Sequence, residues 1–285
     1  MHRVILNDHR IDALAKVFKQ LGLSKVKQLE LIDPQMDAAR IIKNKCGIRA
    51  PVLLFLNALV SYMLTIRGEE YWIKYAYSIP YRCPEDWIDI LALVEDFTSK
   101  YNRYSLGNKL SRLRILKKCR ALEHFIHNRD YKRLWVKTAR CLNTDPNTKT
   151  IVFAIKMTYY GHRVNGFDDT LPMEIPLPTY RRVALITVLS GIIVVENAKS
   201  FYEESRILMR KTDYVRKAWK SISDYSGIPP LHLDVVLWLM GRYADAGSRY
   251  EIFSELKKNN RLLRIISSSL LHDLVDELFY VFTPR

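Results

Sequence analysis

A lysine occupies the first position of an apolar helical run, Lys149-Thr-Ile-Val-Phe-Ala-Ile-Lys-Met-Thr-Tyr-Tyr160. The N-terminus of a helix carries about half a positive charge, so an ammonium group in the first turn is disfavoured. We therefore expect a lowered pKa for Lys149 and treat its amine as a candidate nucleophile. Phe153 follows one turn later, on the same helix face. The pair suits a pocket for a planar base, although a solvated lysine and a core phenylalanine also fit this pattern.

A carboxylate interrupts a second apolar run, Pro229-Pro-Leu-His-Leu-Asp-Val-Val-Leu-Trp-Leu-Met240. Asp234 must find hydrogen-bond donors there, because burying an unpaired carboxylate costs several kcal/mol. The donors are either the end of a neighbouring helix or the N–H groups of a ligand. Trp238 follows Asp234 by about one turn, and we interpret the nearby His232 as a structural histidine.

The chain is strongly basic, with a formal net charge of +15 over 285 residues. The segment from Arg103 to Arg140 holds twelve Lys and Arg side chains and two acidic ones. Leucines interleave with these cations, which indicates amphipathic helices rather than a disordered tail. A concentrated positive charge on folded helices favours a polyanionic partner, because phosphate neutralisation releases counterions.

Several classes of chemistry lack their signatures in this sequence. The four cysteines are far apart and form no Cys-x-x-Cys pair, so we expect reduced thiols and no zinc or iron–sulfur site. A Gly-rich phosphate loop, a His-Glu-x-x-His helix and a Ser/His/Asp signature are also missing. We therefore expect no metal and no cofactor. We further expect a cytoplasmic protein with no membrane contact, because no signal peptide or bilayer-spanning apolar stretch is recognisable.

Apolar residues recur at helical spacing along nearly the whole chain, which predicts an all-α fold. The predicted helices span residues 9–21, 35–46, 50–66, 69–78, 85–100, 108–126, 129–141, 149–161, 180–191, 198–224, 229–243, 247–257 and 260–281. The least helical stretch, 161–179, is predicted to be a hairpin or tight loop. Residues 247–285 are predicted to form an added helical extension without chemistry of its own.

Four segments in register resemble a known family, the archaeal 8-oxoguanine DNA glycosylases of the helix-hairpin-helix superfamily. The resemblance covers about residues 10–245 and is carried by 57–72 (NALVSYMLTIRGEEYW), 149–156 (KTIVFAIK), 175–178 (IPLP) and 227–242 (GIPPLHLDVVLWLMGR). It implies a glycosylase domain at residues 1–246, with two helical lobes, a base-binding and DNA-binding cleft between them and the hairpin near 161–179. Residues 247–285 would then pack on this domain.

The resemblance also implies an activity and its residues. Lys149 would attack C1′ of the damaged nucleotide, expel 8-oxoguanine and form a Schiff base that permits strand cleavage. The residues expected around the extruded base are Gln35, Trp72, Phe153, Asp234 and Trp238. The implied partner is double-stranded DNA containing 8-oxoguanine, with single-stranded DNA as a further option, and the protein is expected to be a monomer.

The sequence departs from this family at one position. A catalytic aspartate is expected after the Ile-Pro-x-Pro motif, and Tyr180 stands there. A phenol whose ordinary pKa is near 10 is not an anion at neutral pH. Asp168, Asp169 or Glu174 could substitute for it. The alternative functions are a non-catalytic reader of DNA lesions that keeps the base pocket, and a DNA or RNA binder without base recognition.

Overall fold

The computed structural model describes residues 2–282 and shows a predominantly helical chain. It divides into two compact units. One is the continuous segment Pro34–Ile175, called the inserted unit below. The other combines the residues up to Asp33 with those from Pro176 onward and is called the terminal unit. The predicted all-α fold class is confirmed.

The terminal unit begins with a short strand, β1 (Val4–Leu6), and a long helix, α1 (Asp8–Glu30). The side chain of Asn7 caps this helix by accepting a hydrogen bond from the backbone N–H of Arg10 at 3.3 Å. At Gly22 the backbone turns to φ 70° and ψ 155°, which kinks the helix. The predicted helix 9–21 ends at this kink, and the helical residues beyond it were not predicted.

The inserted unit follows as a bundle of helices joined by short loops. Its helices are α2 (Pro34–Cys46), a 3-10 turn (Gly47–Arg49), α3 (Ala50–Val60), α4 (Gly68–Ser78), α5 (Trp87–Tyr101), α6 (Leu106–Leu116), α7 (Leu122–His127), α8 (Tyr131–Cys141) and α9 (Lys149–Val164).

The centre of the inserted unit is the packing of α9 on α3. Every residue of α3 is buried, which agrees with its almost uninterrupted apolar sequence. Gly161 allows the two backbones to approach closely, because a Cβ atom at this position would lie 2.6 Å from the Cα atom of Pro51. Gly161 was predicted to begin a loop, and this prediction is wrong, since α9 continues to Val164.

The chain then returns to the terminal unit. Its remaining elements are α10 (Arg181–Leu189), β2 (Ile193–Val195), α11 (Phe201–Leu208), α12 (Thr212–Ser226), α13 (Pro230–Met240), a 3-10 turn (Gly241–Tyr243), α14 (Arg249–Lys257), α15 (Asn260–Leu263) and α16 (Ser268–Leu278). Strands β1 and β2 pair antiparallel, with Ile5 opposite Val194. Helix α1 packs on α12, α13 and α16 around a shared apolar core.

Three predicted helices are interrupted in the structure. The predicted helix 108–126 is divided into α6 and α7, 198–224 into α11 and α12, and 260–281 into α15 and α16. Local capping explains the last break, since the side chain of Ser267 accepts a hydrogen bond from the backbone N–H of Leu270 and starts a new helix.

The expectation of four reduced cysteines is wrong. Cys46 is bonded to Cys83 and Cys119 to Cys141, with Cα–Cα distances of 5.2 and 6.3 Å. The fold brings together cysteines that lie 37 and 22 positions apart in the sequence, so their spacing did not reveal the pairing. Over the described part of the chain, no helix has both the length and the apolar character needed to cross a bilayer.

Candidate active site

Lys149 is the first residue of α9 and is exposed to solvent. Thr148 occupies the N-cap position, where its side chain accepts no hydrogen bond from the helix, whereas its carbonyl oxygen accepts one from the backbone N–H of Ile151 at 2.9 Å. The positive end of the helix dipole lies at the same end of α9 as Lys149. Such an arrangement favours a negatively charged group, for example a phosphate, next to Lys149.

The loop before Lys149 is held by its own hydrogen bonds. The indole of Trp135 donates to the carbonyl oxygen of Pro146 at 2.7 Å. The backbone N–H of Asn147 donates to the Asp145 carboxylate at 2.8 Å, and the hydroxyls of Thr144 and Thr148 lie 3.2 Å apart. These hydrogen bonds fix the residue at which α9 begins, and they therefore also fix the backbone position of Lys149.

Arg112 ties the first turn of α9 to the end of α3. Its Nη1 donates to the Thr150 hydroxyl at 2.9 Å and to the carbonyl oxygen of Leu59 at 2.8 Å. Its guanidinium carbon lies 5.4 Å from the centre of the Tyr62 ring. In the sequence, Arg112 is recognisable only as one cation of the basic stretch, because nothing there connects it with Thr150, 38 positions away.

An aromatic contact lies one turn along α9 from Lys149. The rings of Trp72, on α4, and Phe153 are 6.0 Å apart with an interplanar angle of 61°, an edge-to-face geometry. Trp72 is buried and Phe153 is half-buried. Gln35, the second residue of α2, is also half-buried, and α2 packs on both α4 and α9. The inserted unit thus holds Gln35, Trp72, Lys149 and Phe153 on three neighbouring helices.

Asp234, Trp238 and Tyr180 belong to the terminal unit. Asp234 and Trp238 are both buried in α13, one turn apart. Two guanidinium groups face the Trp238 ring, that of Arg242 at 4.4 Å and that of Arg182 at 5.4 Å from its centre. Both distances allow cation–π attraction, which helps to hold the indole in place.

Tyr180 is the N-cap residue of α10, which packs on α13. Burial, together with the negative charge of Asp234, raises the pKa of the Tyr180 hydroxyl well above its ordinary value. The hydroxyl is therefore a neutral phenol at physiological pH. It places no negative charge at the start of α10, where the resemblance implied a carboxylate.

His232 is structural, as predicted. Its Nδ1 lies 2.6 Å from a carboxylate oxygen of Glu30, and both side chains are buried. The pair joins α13 to the end of α1 inside the terminal unit and satisfies two polar groups that would otherwise destabilise the core.

The three acids suggested as substitutes for the missing aspartate are engaged in ion pairs of the inserted unit. Asp168 pairs with Arg163 at 3.1 Å. Asp169 pairs with Arg129 at 3.1 Å and accepts a hydrogen bond from the hydroxyl of Tyr131. Glu174 pairs with Lys132. These ion pairs give the three acids a stabilising role around the end of α9. That one of them takes part in catalysis stays a prediction.

Comparison with known proteins gives a consistent result at the level of family, sequence and structure. The model of the AGOG family, described as N-glycosylase/DNA lyase, matches residues 15–271. An N-glycosylase/DNA lyase of Pyrobaculum aerophilum is 31% identical over 242 residues, covering 82% of this chain and 87% of the relative. One of Methanopyrus kandleri is 34% identical over 197 residues, covering 66% and 71%.

A solved structure is similar over nearly the entire chain. It is the 8-oxoguanosine complex of the Pyrobaculum aerophilum AGOG protein, an 8-oxoguanine DNA glycosylase. The TM-score is 0.74 at 25% sequence identity, and the match covers 98% of this chain and 100% of the other. The similarity therefore extends through both units and through the residues from 247 onward.

Proposed function

This chain belongs to the AGOG family of N-glycosylase/DNA lyases and is thus a DNA-repair enzyme, and from that premise we propose that it excises 8-oxoguanine with Lys149 as nucleophile. The observation that carries the proposal is the position of Lys149 at the first residue of α9, one turn from a ring that contacts Trp72. The basic charge of the chain agrees with a DNA substrate.

The proposed reaction begins with attack of the neutral Lys149 amine on C1′ of the damaged nucleotide. The bond between C1′ and N9 breaks, and the base leaves with the electron pair of that bond and takes up a proton. Loss of a proton from the attacking nitrogen and opening of the sugar ring give the protonated Schiff base. Removal of a C2′ proton then expels the 3′ phosphate by β-elimination. Only the neutral amine is a nucleophile, and the positive helix end disfavours its protonated form.

Base recognition is proposed to use the side chains that the resemblance implies. Extruding a base from duplex DNA costs a few kcal/mol, and stacking on an aromatic ring returns about 1–3 kcal/mol per base. We assign stacking to Phe153, Trp72 and Trp238, and hydrogen bonding to the base edge to Gln35 and Asp234.

The first test is borohydride trapping on duplex DNA with one 8-oxoguanine. We expect a covalent adduct with the wild-type protein and none with Lys149→Gln, whose binding to the lesion should persist. Lys43→Gln, an exposed lysine on α2, removes the same charge and serves as control. Base release by Lys149→Gln at the wild-type rate would refute the assignment of the nucleophile.

The alternative is a reader of lesions that does not cleave them, and the neutral Tyr180 hydroxyl favours it. Replacing Tyr180 by Asp supplies the carboxylate that the resemblance implies at this position. If Tyr180 limits the reaction, the single-turnover rate should rise at least about tenfold, since a positioned acid–base group contributes roughly 10²–10⁴. If both wild type and Tyr180→Asp bind the lesion selectively and neither forms an adduct, the protein is a lesion reader. If wild type excises the base rapidly and Tyr180→Asp is no faster, another group performs the role of the carboxylate.

We also propose that the enzyme acts as a monomer on chromosomal DNA in the cytoplasm, with duplex DNA as its main substrate and single strands as a second one. Sedimentation of the free and DNA-bound protein measures the first point. Rates on the same lesion in single-stranded and duplex oligonucleotides measure the second.

A further inference from the structure

The disulfide between Cys119 and Cys141 joins two basic segments of the inserted unit. Cys119 lies three residues beyond the end of α6, and Cys141 is the last residue of α8. Helix α6 packs on α3 and α5, whereas α8 packs on α7 and α9. The covalent bond therefore connects two parts of the helical bundle that rest on different neighbours.

Exposed cations lie on both sides of this bond. Lys118 and Arg140 directly adjoin the two cysteines, and Arg114 and Lys137 lie about one turn earlier on each segment. We call these four residues the bridged patch. None of them forms an ion pair with any residue that the structure describes. Other cations of the same stretch do, since Lys117 pairs with Glu95 at 3.4 Å and Arg120 with Asp86 at 2.9 Å.

The disulfide limits the distance across the patch. The Cα atoms of the two cysteines are 6.3 Å apart, and neighbouring Cα atoms are about 3.8 Å apart, so those of Lys118 and Arg140 are at most about 14 Å apart. A DNA strand passes about four phosphates in that length, at about 3.4 Å of axial rise each. Lys118 and Arg140, which the bond keeps within this span, can therefore contact phosphates of one strand, and Arg114 and Lys137 add positive charge about one turn earlier on each segment.

The patch is connected to the nucleophile helix by a folded loop. The backbone N–H of Thr144 donates to the carbonyl oxygen of Ala139 at 3.0 Å, so the chain beyond Cys141 folds back on α8. The hydrogen bonds from Trp135 to Pro146 and between Thr144 and Thr148 then lead directly to Lys149. A strand bound at the patch would thus lie beside the segment that begins α9.

We propose that the bridged patch binds phosphates of the DNA strand flanking the lesion, and that the Cys119–Cys141 disulfide holds the patch in its binding arrangement. The inference rests on the proposed function for its substrate. Reduction by a dithiol would convert the disulfide to two thiols with two electrons and two protons, while the dithiol becomes a disulfide. Both cysteines are half-buried and hence partly accessible to the reductant. Without the disulfide, the two segments that carry the bridged patch are free to move apart. DNA binding must then order them, and this entropic cost lowers the affinity for DNA.

The test measures the salt dependence of binding to undamaged duplex DNA for oxidised and dithiothreitol-treated protein. Each phosphate contact contributes about 0.9 to the slope of log K against log salt. Lys118→Gln/Arg140→Gln should therefore lower the slope by about 1.8. Lys16→Gln/Lys43→Gln, two exposed lysines that are not members of the patch, should leave it unchanged. Dithiothreitol should weaken wild-type binding at least about threefold, and Cys119→Ser/Cys141→Ser should reproduce this loss.

Two controls isolate the disulfide. Cys46→Ser/Cys83→Ser should keep the effect of dithiothreitol, whereas Lys118→Gln/Arg140→Gln should abolish most of it, and this second comparison needs no folded cysteine variant. If Lys118→Gln/Arg140→Gln kept the wild-type slope of log K against log salt, the proposed phosphate contacts of the bridged patch would be refuted. If dithiothreitol weakened DNA binding equally in wild type and in Cys119→Ser/Cys141→Ser, the disulfide would not be what holds the patch in its binding arrangement. Because the binding test uses undamaged DNA, its result does not depend on base excision. A failure of the proposed excision activity would appear separately, in the trapping assay.

Discussion

Replacing Gly161 by Ala should destabilise the protein although alanine is the better helix former. A Cβ atom at this position would lie 2.6 Å from Cα, 2.8 Å from N and 3.1 Å from Cβ of Pro51. Two of these three atoms belong to the backbone, so no side-chain rotation relieves the overlap. Helices α3 and α9 must move apart instead, and every residue of α3 is buried.

The expected cost follows from two opposing contributions. Overpacking a closely packed core costs about 1–3 kcal/mol, and a contact between backbones lies at the upper end of that range. Glycine to alanine inside a helix returns about 1 kcal/mol. The net loss is about 2 kcal/mol, which corresponds to a fall in the thermal midpoint of about 4–8 °C at 2–4 °C per kcal/mol.

The assay is thermal unfolding followed by circular dichroism, with Gly107→Ala as the matched control. Gly107 lies in the first turn of α6, and a Cβ atom there would meet nothing within 4 Å. This control should be as stable as wild type or slightly more stable. A midpoint for Gly161→Ala at or above that of wild type would refute the argument that the close approach of α3 and α9 requires glycine.

Two further predictions concern the base and the response to acid. Trp238→Ala should weaken lesion binding by about 1–3 kcal/mol, roughly 5- to 150-fold, if its ring stacks on the base, and an equal loss on undamaged duplex in a fluorescence titration would contradict that role. Burial lowers the pKa of the His162 imidazole to about 4. Because the unfolded imidazole titrates near 6.5, stability from this group is complete above pH 6.5 and decreases by up to about 3 kcal/mol as pH falls to about 4. Denaturant titrations should show a flatter pH dependence for His162→Gln than for the exposed control His9→Gln.

Local signals predicted most of the helices well. The helix predicted at 85–100 begins at Trp87, because the Asp86 side chain accepts a hydrogen bond from the backbone N–H of Ile88. The helix predicted at 149–161 begins at Lys149. In contrast, β1 and β2 are three residues long, too short to show the alternation that identifies a strand.

Within the candidate site, sequence spacing was informative only over one or two helical turns. It placed Lys149 and Phe153 on one helix face, and Asp234 one turn before Trp238. The contact of Arg112 with Thr150 joins residues far apart in the chain, as do both disulfides, and periodicity carries no information on such pairs. The resemblance to a family supplied Gln35 and Trp72, which have no distinctive local pattern.

The insertion of one unit within the other has a consequence for synthesis on the ribosome. Helix α1 emerges early, but its partner α12 follows about 180 residues later, a delay of roughly 10–40 s at 5–20 residues per second. The inserted unit is complete before α12 appears, so it is free to fold first, with Lys149 already on α9. During that interval the apolar face of α1 awaits its partners. A chain that stalls between Ile175 and Thr212 would therefore leave this face without α12 to cover it.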